Sequence, residues 1–333
     1  MTEGAAESST PAPCPPRRPH DGGSRRPRHR HFSPTRELAP GRATQIWIAD
    51  VDAQELSLVH TDDDLLLEAP NWTPDGAALV LNGDGAAWRL ELATSALSRI
   101  PIEVPPLNND HVIHPDGDTL LLSAMDGHLY RVALGGGPAQ RLTHDDARAH
   151  FLHGVSPDGT TLACVEIADR DFADPGRLAL MDIDGGNRRL LHTGDGHVDG
   201  PEFDPSGEWI YLNTEAFTRE PGHAQLARIR PDGTGFERLL DTPRVDRFPH
   251  VSPDGRRATY LSFPAGTLGH PADLAVEIRA VDLGAWDEPL LHIALSGGQG
   301  SLNVDSWAPD GRRFAFVAYP SAGEEGARVV ARR

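Results

Sequence analysis

A short unit recurs six times along the chain and limits the folds that are open to it. Each copy consists of an apolar residue, a small or polar residue, and then Pro-Asp-Gly or a close variant. Proline presets φ, aspartate hydrogen-bonds to its own backbone, and glycine accepts a positive φ, so each unit predicts a tight turn between antiparallel strands. The prolines lie 41, 42, 48, 48 and 56 residues apart, at Pro74, Pro115, Pro157, Pro205, Pro253 and Pro309. This period is typical of the four-stranded blade of a β-propeller.

The segments between the turns have the pattern of short strands. A β-rich run follows each turn, and in the second repeat residues 128–132 then alternate between apolar and polar before a fourth run at residues 140–143. Alternation with a period of two indicates strands and not helices. The β-rich runs are residues 78–81, 119–122, 161–165, 209–212, 258–261 and 314–317.

The two ends of the chain are predicted to share one blade. The sixth repeat has no clear third or fourth strand, whereas the chain supplies two unmatched strand patterns at residues 45–50 and 56–59. Residues 45–59 would then complete the sheet begun by residues 304–317 and close the ring. We therefore predict an all-β fold, a six-bladed propeller of four-stranded antiparallel blades over residues 44–320. Two separate β-sandwiches would not account for so even a repeat.

The segments outside the repeats are predicted to be tails. Residues 1–40 are rich in proline and arginine and have no apolar face, so we expect them to be disordered, and we expect residues 321–333 to be a C-terminal tail. The Arg/His-rich run at 24–31 is either a solvated tail or an electrostatic contact arm. The first residues contain no apolar stretch of the kind found in a secretory signal. Together with two cysteines that form no disulfide framework, this leads us to expect a cytoplasmic protein.

Charge excludes several classes of function. Lys plus Arg number 31 and Asp plus Glu number 49, which gives a net charge of −18. So acidic a chain is not expected to bind nucleic acid or an anionic membrane surface, and it has no apolar stretch long enough to span a bilayer. Every basic residue apart from histidine is arginine, which excludes a Schiff-base lysine and a P-loop lysine.

The six turn units resemble the PD40 repeat, the WD40-like repeat of TolB-type propellers, over residues 44–320. The same repeat is similar to that of oligogalacturonate lyases, propeller enzymes of seven blades. That resemblance implies a divalent metal held by histidines and a glutamine, and cleavage by β-elimination. The TolB resemblance implies a rim that docks a protein partner in the periplasm.

Polar residues recur just before the turns, although the residue two before each proline is always apolar. Inner strands of a propeller line one central channel, so these polar residues should converge there. Histidine, glutamine and carboxylate in one pocket form either a metal or acid–base site or simply a hydrogen-bonded channel lining. The proposed metal ligands are His111, His153, His250 and Gln299, with Mn, Zn or Ca as the ion. The proposed substrate contacts are Asn71, Asn109, Asp110, Glu202, His270 and Asn303.

Three functions follow from this reading. The first is a metal-assisted lyase for a small anionic saccharide, in which an arginine such as Arg279 or the metal would acidify a C–H bond and His111 or His153 would take the proton. The second is a TolB-like module that binds a protein partner. The third is a non-catalytic sensor that binds a sugar or metal in the same channel.

Overall fold

The computed structural model describes Met1 and residues 36–171 and 173–330. The described residues form strands and turns without a helix, so this part of the chain has no helical segment that could cross a bilayer. Most of the predicted N-terminal tail, including the run at 24–31, lies outside the described residues, although Arg36 to Pro40 are described.

The strands, in chain order, begin with β1 (Thr44–Asp50), β2 (Glu55–Asp62), β3 (Leu67–Trp72), β4 (Ala78–Gly83), β5 (Ala86–Glu91), β6 (Ala96–Arg99), β7 (Ile102–Glu103), β8 (Leu107–Ile113), β9 (Thr119–Ala124), β10 (Leu129–Ala133), β11 (Gly137–Pro138), β12 (Gln140–Arg141) and β13 (Arg148–Val155). They continue with β14 (Thr161–Ala168), β15 (Arg177–Asp182), β16 (Arg189–Leu190), β17 (Val198–Phe203), β18 (Ile210–Thr214), β19 (Gln225–Ile229), β20 (Glu237–Arg238), β21 (Val245–Val251), β22 (Arg257–Phe263), β23 (Leu274–Asp282), β24 (Pro289–Gly297), β25 (Arg313–Ala318) and β26 (Ala327–Val329).

These strands form the predicted six-bladed propeller. Four blades are four-stranded antiparallel sheets with the orders β3-β4-β5-β6, β8-β9-β10-β12, β13-β14-β15-β16 and β17-β18-β19-β20. The fifth blade is β21-β22-β23-β24 with β26 added at its outer edge, so the segment after residue 320 contains a strand. A two-residue parallel pair, β7 with β11, lies outside the main sheets.

The ring closes as the sequence predicts. β1 pairs with β25 from Gln45↔Ala318 to Asp50↔Arg313, and β2 pairs with β1. The inner segment of this closing blade is irregular, with one bridge between Trp307 and Phe314 in place of a regular strand.

The repeat turn and the apolar residue before it explain why the blades stack. In the first turn Thr73 donates to Asp75 (2.6 Å) and Gly76 has a φ of 68°. Trp72, two residues before the proline, is buried in a cluster that includes Ala315 and Val317 of the closing blade. The core therefore lies mainly between adjacent blades, and the inner strands remain free to place polar groups along the channel.

A bulge interrupts every inner strand of the first five blades. In three of them the residue five before the repeat proline has a left-handed backbone and precedes a further proline: Ala69 (φ 54°), Gly200 (φ 57°) and Phe248 (φ 55°). An extra residue in one strand breaks the two-residue alternation of side chains. Polar residues on both sides of the bulge can therefore reach neighbouring blades.

Candidate functional site

Residues that lie the same number of positions before the prolines of adjacent repeats contact each other between blades. Asp199 and Arg247 each lie six residues before a proline, and their side chains approach to 3.9 Å. Glu202 and His250 each lie three residues before a proline, and Glu202 Oε2 is 2.5 Å from His250 Nδ1. The inner strands therefore carry two polar groups, separated by the bulge.

The first group, called the mouth cluster here, contains two imidazoles that share one carboxylate. His153 Nε2 is 3.3 Å from Asp199 Oδ1 and 4.0 Å from Asp110 Oδ1, and His270 Nε2 is 3.2 Å from Asp199 Oδ2. His270 Nδ1 contacts the side-chain oxygen of Gln299. The cluster comprises Asp110, His153, Asp199, Arg247, His270 and Gln299.

The cluster reaches the surface at His270. This residue lies in the loop at 264–273, between β22 and β23, and its side chain is 32% exposed, whereas that of His153 is 4% exposed. The Phe248 ring lies against both imidazoles, with ring centroids 6.2 Å from His153 and 5.3 Å from His270. The loop therefore covers the buried part of the mouth cluster.

Neighbouring charges set the protonation of this cluster. Burial alone would lower the pKa of His153, but Asp110 and Asp199 raise it to about 9. Burial raises the pKa of Asp110 to about 6, with the charge of Asp199 adding to the effect. The two histidines hold the pKa of Asp199 well below its ordinary value despite its burial. At neutral pH, His153 is therefore an imidazolium beside two carboxylates.

Arg247 is a fully buried cation of the cluster with unpaired nitrogens. Its side chain is 0% exposed, and its nearest acids are Asp199 at 3.9 Å and Glu215 at 3.4 Å. Burial lowers the pKa of Arg247, which those two acids oppose. Within the described chain, the Nε and Nη1 atoms have no hydrogen-bond partner, and the same holds for the Nδ2 atoms of Asn109 and Asn213. Arg247 thus brings unpaired hydrogen-bond donors to the mouth cluster.

The second group, called the lower cluster here, is centred on His250. Its Nδ1 faces Glu202 and its Nε2 is 3.1 Å from the carbonyl oxygen of Leu302. The Asn71 amide donates to the backbone oxygen of Asp305 (2.6 Å). Burial would lower the pKa of His250, but Glu202 raises it; burial and the charge of Glu202 raise the pKa of Asp305 to about 7. These contacts tie the irregular closing segment to the neighbouring blades.

The structure brings part of the predicted site together. Asp110, His153, His270 and Gln299 all belong to the mouth cluster. Asn303 lies beside it, and its backbone contact with the His153 ring helps to raise the pKa of His153. Asn109 is buried without a partner for its Nδ2, whereas Asn71, Glu202 and His250 belong to the lower cluster.

Two predicted catalytic residues make their hydrogen bonds away from the mouth cluster. His111 Nε2 is 3.4 Å from the Val80 carbonyl oxygen, and burial lowers its pKa to about 4. Arg279, on β23, donates to Glu277 (2.9 Å). These contacts join His111 and Arg279 to groups outside the mouth cluster.

The predicted metal set does not fit an ion. A ligand needs a free lone pair, but both ring nitrogens of His250 face groups of the protein. His111 lies apart from the other three residues, with its Nε2 turned towards the Val80 carbonyl. Only His153 and Gln299 of the four share the mouth cluster. Across the described residues, no three His, Cys, Asp or Glu side chains are arranged to hold a metal.

Sequence reasoning missed Asp199 and Arg247 as site residues. Both lie six residues before the repeat proline, the position that also holds Glu68, Asn109 and Asn303 in other blades. Five of six repeats are therefore polar at this position. This recurrence of polar residues could have identified Asp199 and Arg247 from the sequence.

Comparison with known proteins places the chain in a family. No family model matches it. An uncharacterised protein of Agrobacterium fabrum is 36% identical over 260 residues, which are 76% of this chain and 85% of the relative. A TolB homolog of Chlorobium luteolum is 27% identical over 157 residues, which are 47% of this chain but only 31% of that protein.

Solved structures agree with this assignment. The structure of a TolB candidate from Agrobacterium tumefaciens is 34% identical and superposes with a TM-score of 0.77, over 84% of this chain and 99% of that one. An oligogalacturonate lyase in complex with manganese has the same fold at 13% identity, with a TM-score of 0.51 over 89% of this chain and 94% of the lyase. The chain described here belongs to the TolB-like β-propeller family.

Proposed function

We propose that this protein is a binding propeller whose mouth cluster takes a small anionic molecule rich in hydrogen-bond acceptors, with an acidic saccharide as the chemical class. The observation that carries the proposal is the buried Arg247 guanidinium, two of whose nitrogens lack hydrogen-bond partners among the described residues. A buried polar group without a partner costs free energy, so a bound carboxylate would be stabilised by contact with it.

The neighbours of Arg247 suit the rest of such a ligand. The free amide donor of Asn213, which pairs with Asp199 in the sheet, and the His153 imidazolium supply further donors. Asp110 and Asp199 supply acceptors for sugar hydroxyls. A uronate carries one carboxylate and several hydroxyls, and this mixture matches a donor-rich pocket that also contains a few acceptors.

The same geometry favours binding over β-elimination. A general base must be unprotonated and sufficiently basic. His153 is held as an imidazolium, and burial lowers the pKa of His111 to about 4, which makes it a weak base. Arg279 is paired with Glu277 on β23. The manganese of the lyase neighbour is therefore not carried over to this chain, and a protein partner at the rim is compatible with the same fold.

Calorimetric titration with D-galacturonate, with neutral D-galactose as the comparison ligand, tests the proposal. We expect galacturonate to bind at least about tenfold more tightly than galactose, because one charge-assisted hydrogen bond is worth about 1.5–3 kcal/mol. Arg247→Met should abolish this preference. Arg244→Gln is the matched control, because Arg244 lies three residues away and bonds Ser262 and Glu277 instead.

Three results would contradict the proposal. They are equal affinity for the two sugars, an unchanged preference in Arg247→Met with a native circular dichroism spectrum, and formation of an unsaturated uronate product that stops on addition of EDTA. The last would restore the metal-assisted lyase.

A further inference from the structure

Arg36 lies in a three-sided pocket beside the mouth cluster. Its Nη1 donates to Glu68 Oε1 (2.6 Å) and to the backbone oxygen of Gln299 (2.5 Å). Its guanidinium carbon lies 4.7 Å from the centroid of the Tyr319 ring. The Arg36 side chain is 23% exposed, so one side of the pocket faces solvent.

The walls of this pocket are held by other contacts of the ring. Tyr319 is fully buried and its hydroxyl donates to the Leu67 carbonyl (2.9 Å). Gly300 has a φ of 86°, and a Cβ atom there would lie 2.5 Å from both Glu68 Oε1 and the Tyr319 hydroxyl. Asn303 Oδ1 accepts from Gly300 N (2.7 Å), and Gly300 O accepts from Ala69 N (2.8 Å). The pocket is thus shaped by groups other than Arg36.

The three walls match the chemistry of a guanidinium. This ion is planar, donates hydrogen bonds in its plane and stacks on aromatic rings, whereas an ammonium presents no flat face. Glu68 is buried, which raises its pKa, and Arg36 opposes that shift. Without Arg36, this buried carboxylate would lose the cation that pairs with it in this arrangement.

We infer that Glu68, Tyr319 and the Gln299 carbonyl form a guanidinium-binding pocket, which Arg36 fills in cis and an arginine ligand fills when Arg36 is absent. Arg36 lies eight residues before β1 and outside every strand, so its side chain can leave without breaking a strand pairing. The pocket uses different atoms from the Arg247 site and does not depend on the function proposed for that site.

The test is calorimetric titration of the full chain with N-acetyl-L-arginine amide. We expect Arg36→Ala to bind this probe, and the wild type to bind it at least about tenfold more weakly, because the tethered side chain competes at an effective concentration of about millimolar or above. Arg42→Ala is the matched control: Arg42 bonds Ser296 and the Tyr319 backbone oxygen outside the pocket, so this variant should behave as the wild type. The lysine analogue of the probe should bind more weakly to Arg36→Ala.

Two further variants keep the inference open to refutation. Adding Glu68→Gln or Gly300→Ala to Arg36→Ala should abolish probe binding, the first by removing the charge and the second by filling the space. Absence of binding to Arg36→Ala, or undiminished binding in the Glu68→Gln double variant, would overturn the pocket. Tighter binding of free L-arginine than of the amide supports a free amino acid as the ligand, and equal or weaker binding supports a side chain of a polypeptide.

Ligand binding at the Arg247 site and at the guanidinium-binding pocket can be lost independently of each other. Arg247→Met should retain binding of the arginine probe when combined with Arg36→Ala, and Glu68→Gln should retain binding of galacturonate. Loss of both ligands in either variant would contradict their independence.

Discussion

His111 and His153 occupy the same position in their repeats, four residues before the proline, yet they lie in opposite electrostatic environments. His111 pairs with Leu122 in the sheet and faces a backbone oxygen, so burial lowers its pKa to about 4. His153 lies in the bulge, between paired Leu152 and Gly154, and meets two carboxylates that raise its pKa to about 9. Whether the histidine at this position is paired in the sheet or lies in the bulge therefore decides whether it is neutral or charged.

Asp199→Asn should be among the most destabilising substitutions in the channel. It removes the carboxylate shared by His153, His270 and Arg247. The buried His153 and Arg247 cations would then each keep only one acid, Asp110 and Glu215, and breaking a buried pair costs about 3–5 kcal/mol. The free energy of unfolding in urea measures the loss, and NMR titration should show a lower pKa for His153. Asp195→Asn, at an exposed site in the same blade, is the control and should change stability by less than about 0.5 kcal/mol.

Stability should fall as pH rises from about 6.5 to about 9. The pKa of His153 is about 9 in the folded protein and about 6.5 when unfolded. Its favourable contribution is therefore complete below pH 6.5 and lost as the pH passes through the folded value. The raised pKa of His250 acts in the same direction. The melting temperature should fall less steeply with pH in His153→Gln than in the wild type. His192→Gln, at an exposed site, is the control and should behave as the wild type. An equal slope of melting temperature against pH in all three proteins would refute the assignment.

At the level of strands and turns, the sequence predicts the order of the strands better than it predicts which way the inner-strand side chains point. Local turn chemistry repeats at every Pro-Asp-Gly unit, so strand order and the shared closing blade could be predicted from it. The bulges depend on how each inner strand fits its neighbours, and blades two and three place theirs differently. The structure brings His153 and Gln299 into one cluster and places His111 and His250 apart from it, and the repeat pattern alone does not predict this separation.

The repeated left-handed bulge residue should respond to glycine and alanine in opposite ways. Gly200→Ala should destabilise the protein by about 1–3 kcal/mol, because a Cβ at a φ of 57° would also lie 2.9 Å from the Phe248 ring. Ala69→Gly, at the equivalent position in blade one, should be neutral or stabilising by up to about 1 kcal/mol, because it relieves backbone strain at some cost in chain entropy. Denaturation in urea measures both, and a loss of more than 1 kcal/mol in Ala69→Gly would contradict the strain.

For the whole molecule, closure by the N-terminal strands should make residues 41–60 indispensable. Deleting residues 1–40 removes the Arg36 contact but leaves β1 and β2, so we expect a folded protein whose melting temperature falls by only a few degrees. Deleting through residue 60 removes β1 and exposes the edge of β25, so the ring should not fold. Circular dichroism during heating distinguishes the two, and a cooperative transition in the longer deletion would contradict the closure.

The net charge of −18 should give the two proposed ligands opposite salt dependences. The field of the whole molecule repels an anion and attracts a cation before either reaches its site, and added salt screens both effects. Stopped-flow measurements between about 10 and 100 mM salt, where the screening length falls from about 30 to about 10 Å, should show faster association of galacturonate with the wild type as salt rises. The arginine probe should bind Arg36→Ala more slowly over the same range, and galactose should show no trend.

Acids also surround the mouth, at Glu68, Asp110, Asp199 and Glu215, so the local field has the same sign as the net charge. Slower association of galacturonate at higher salt would mean that the field of Arg247 and His153 extends beyond these carboxylates and guides the anion from solution.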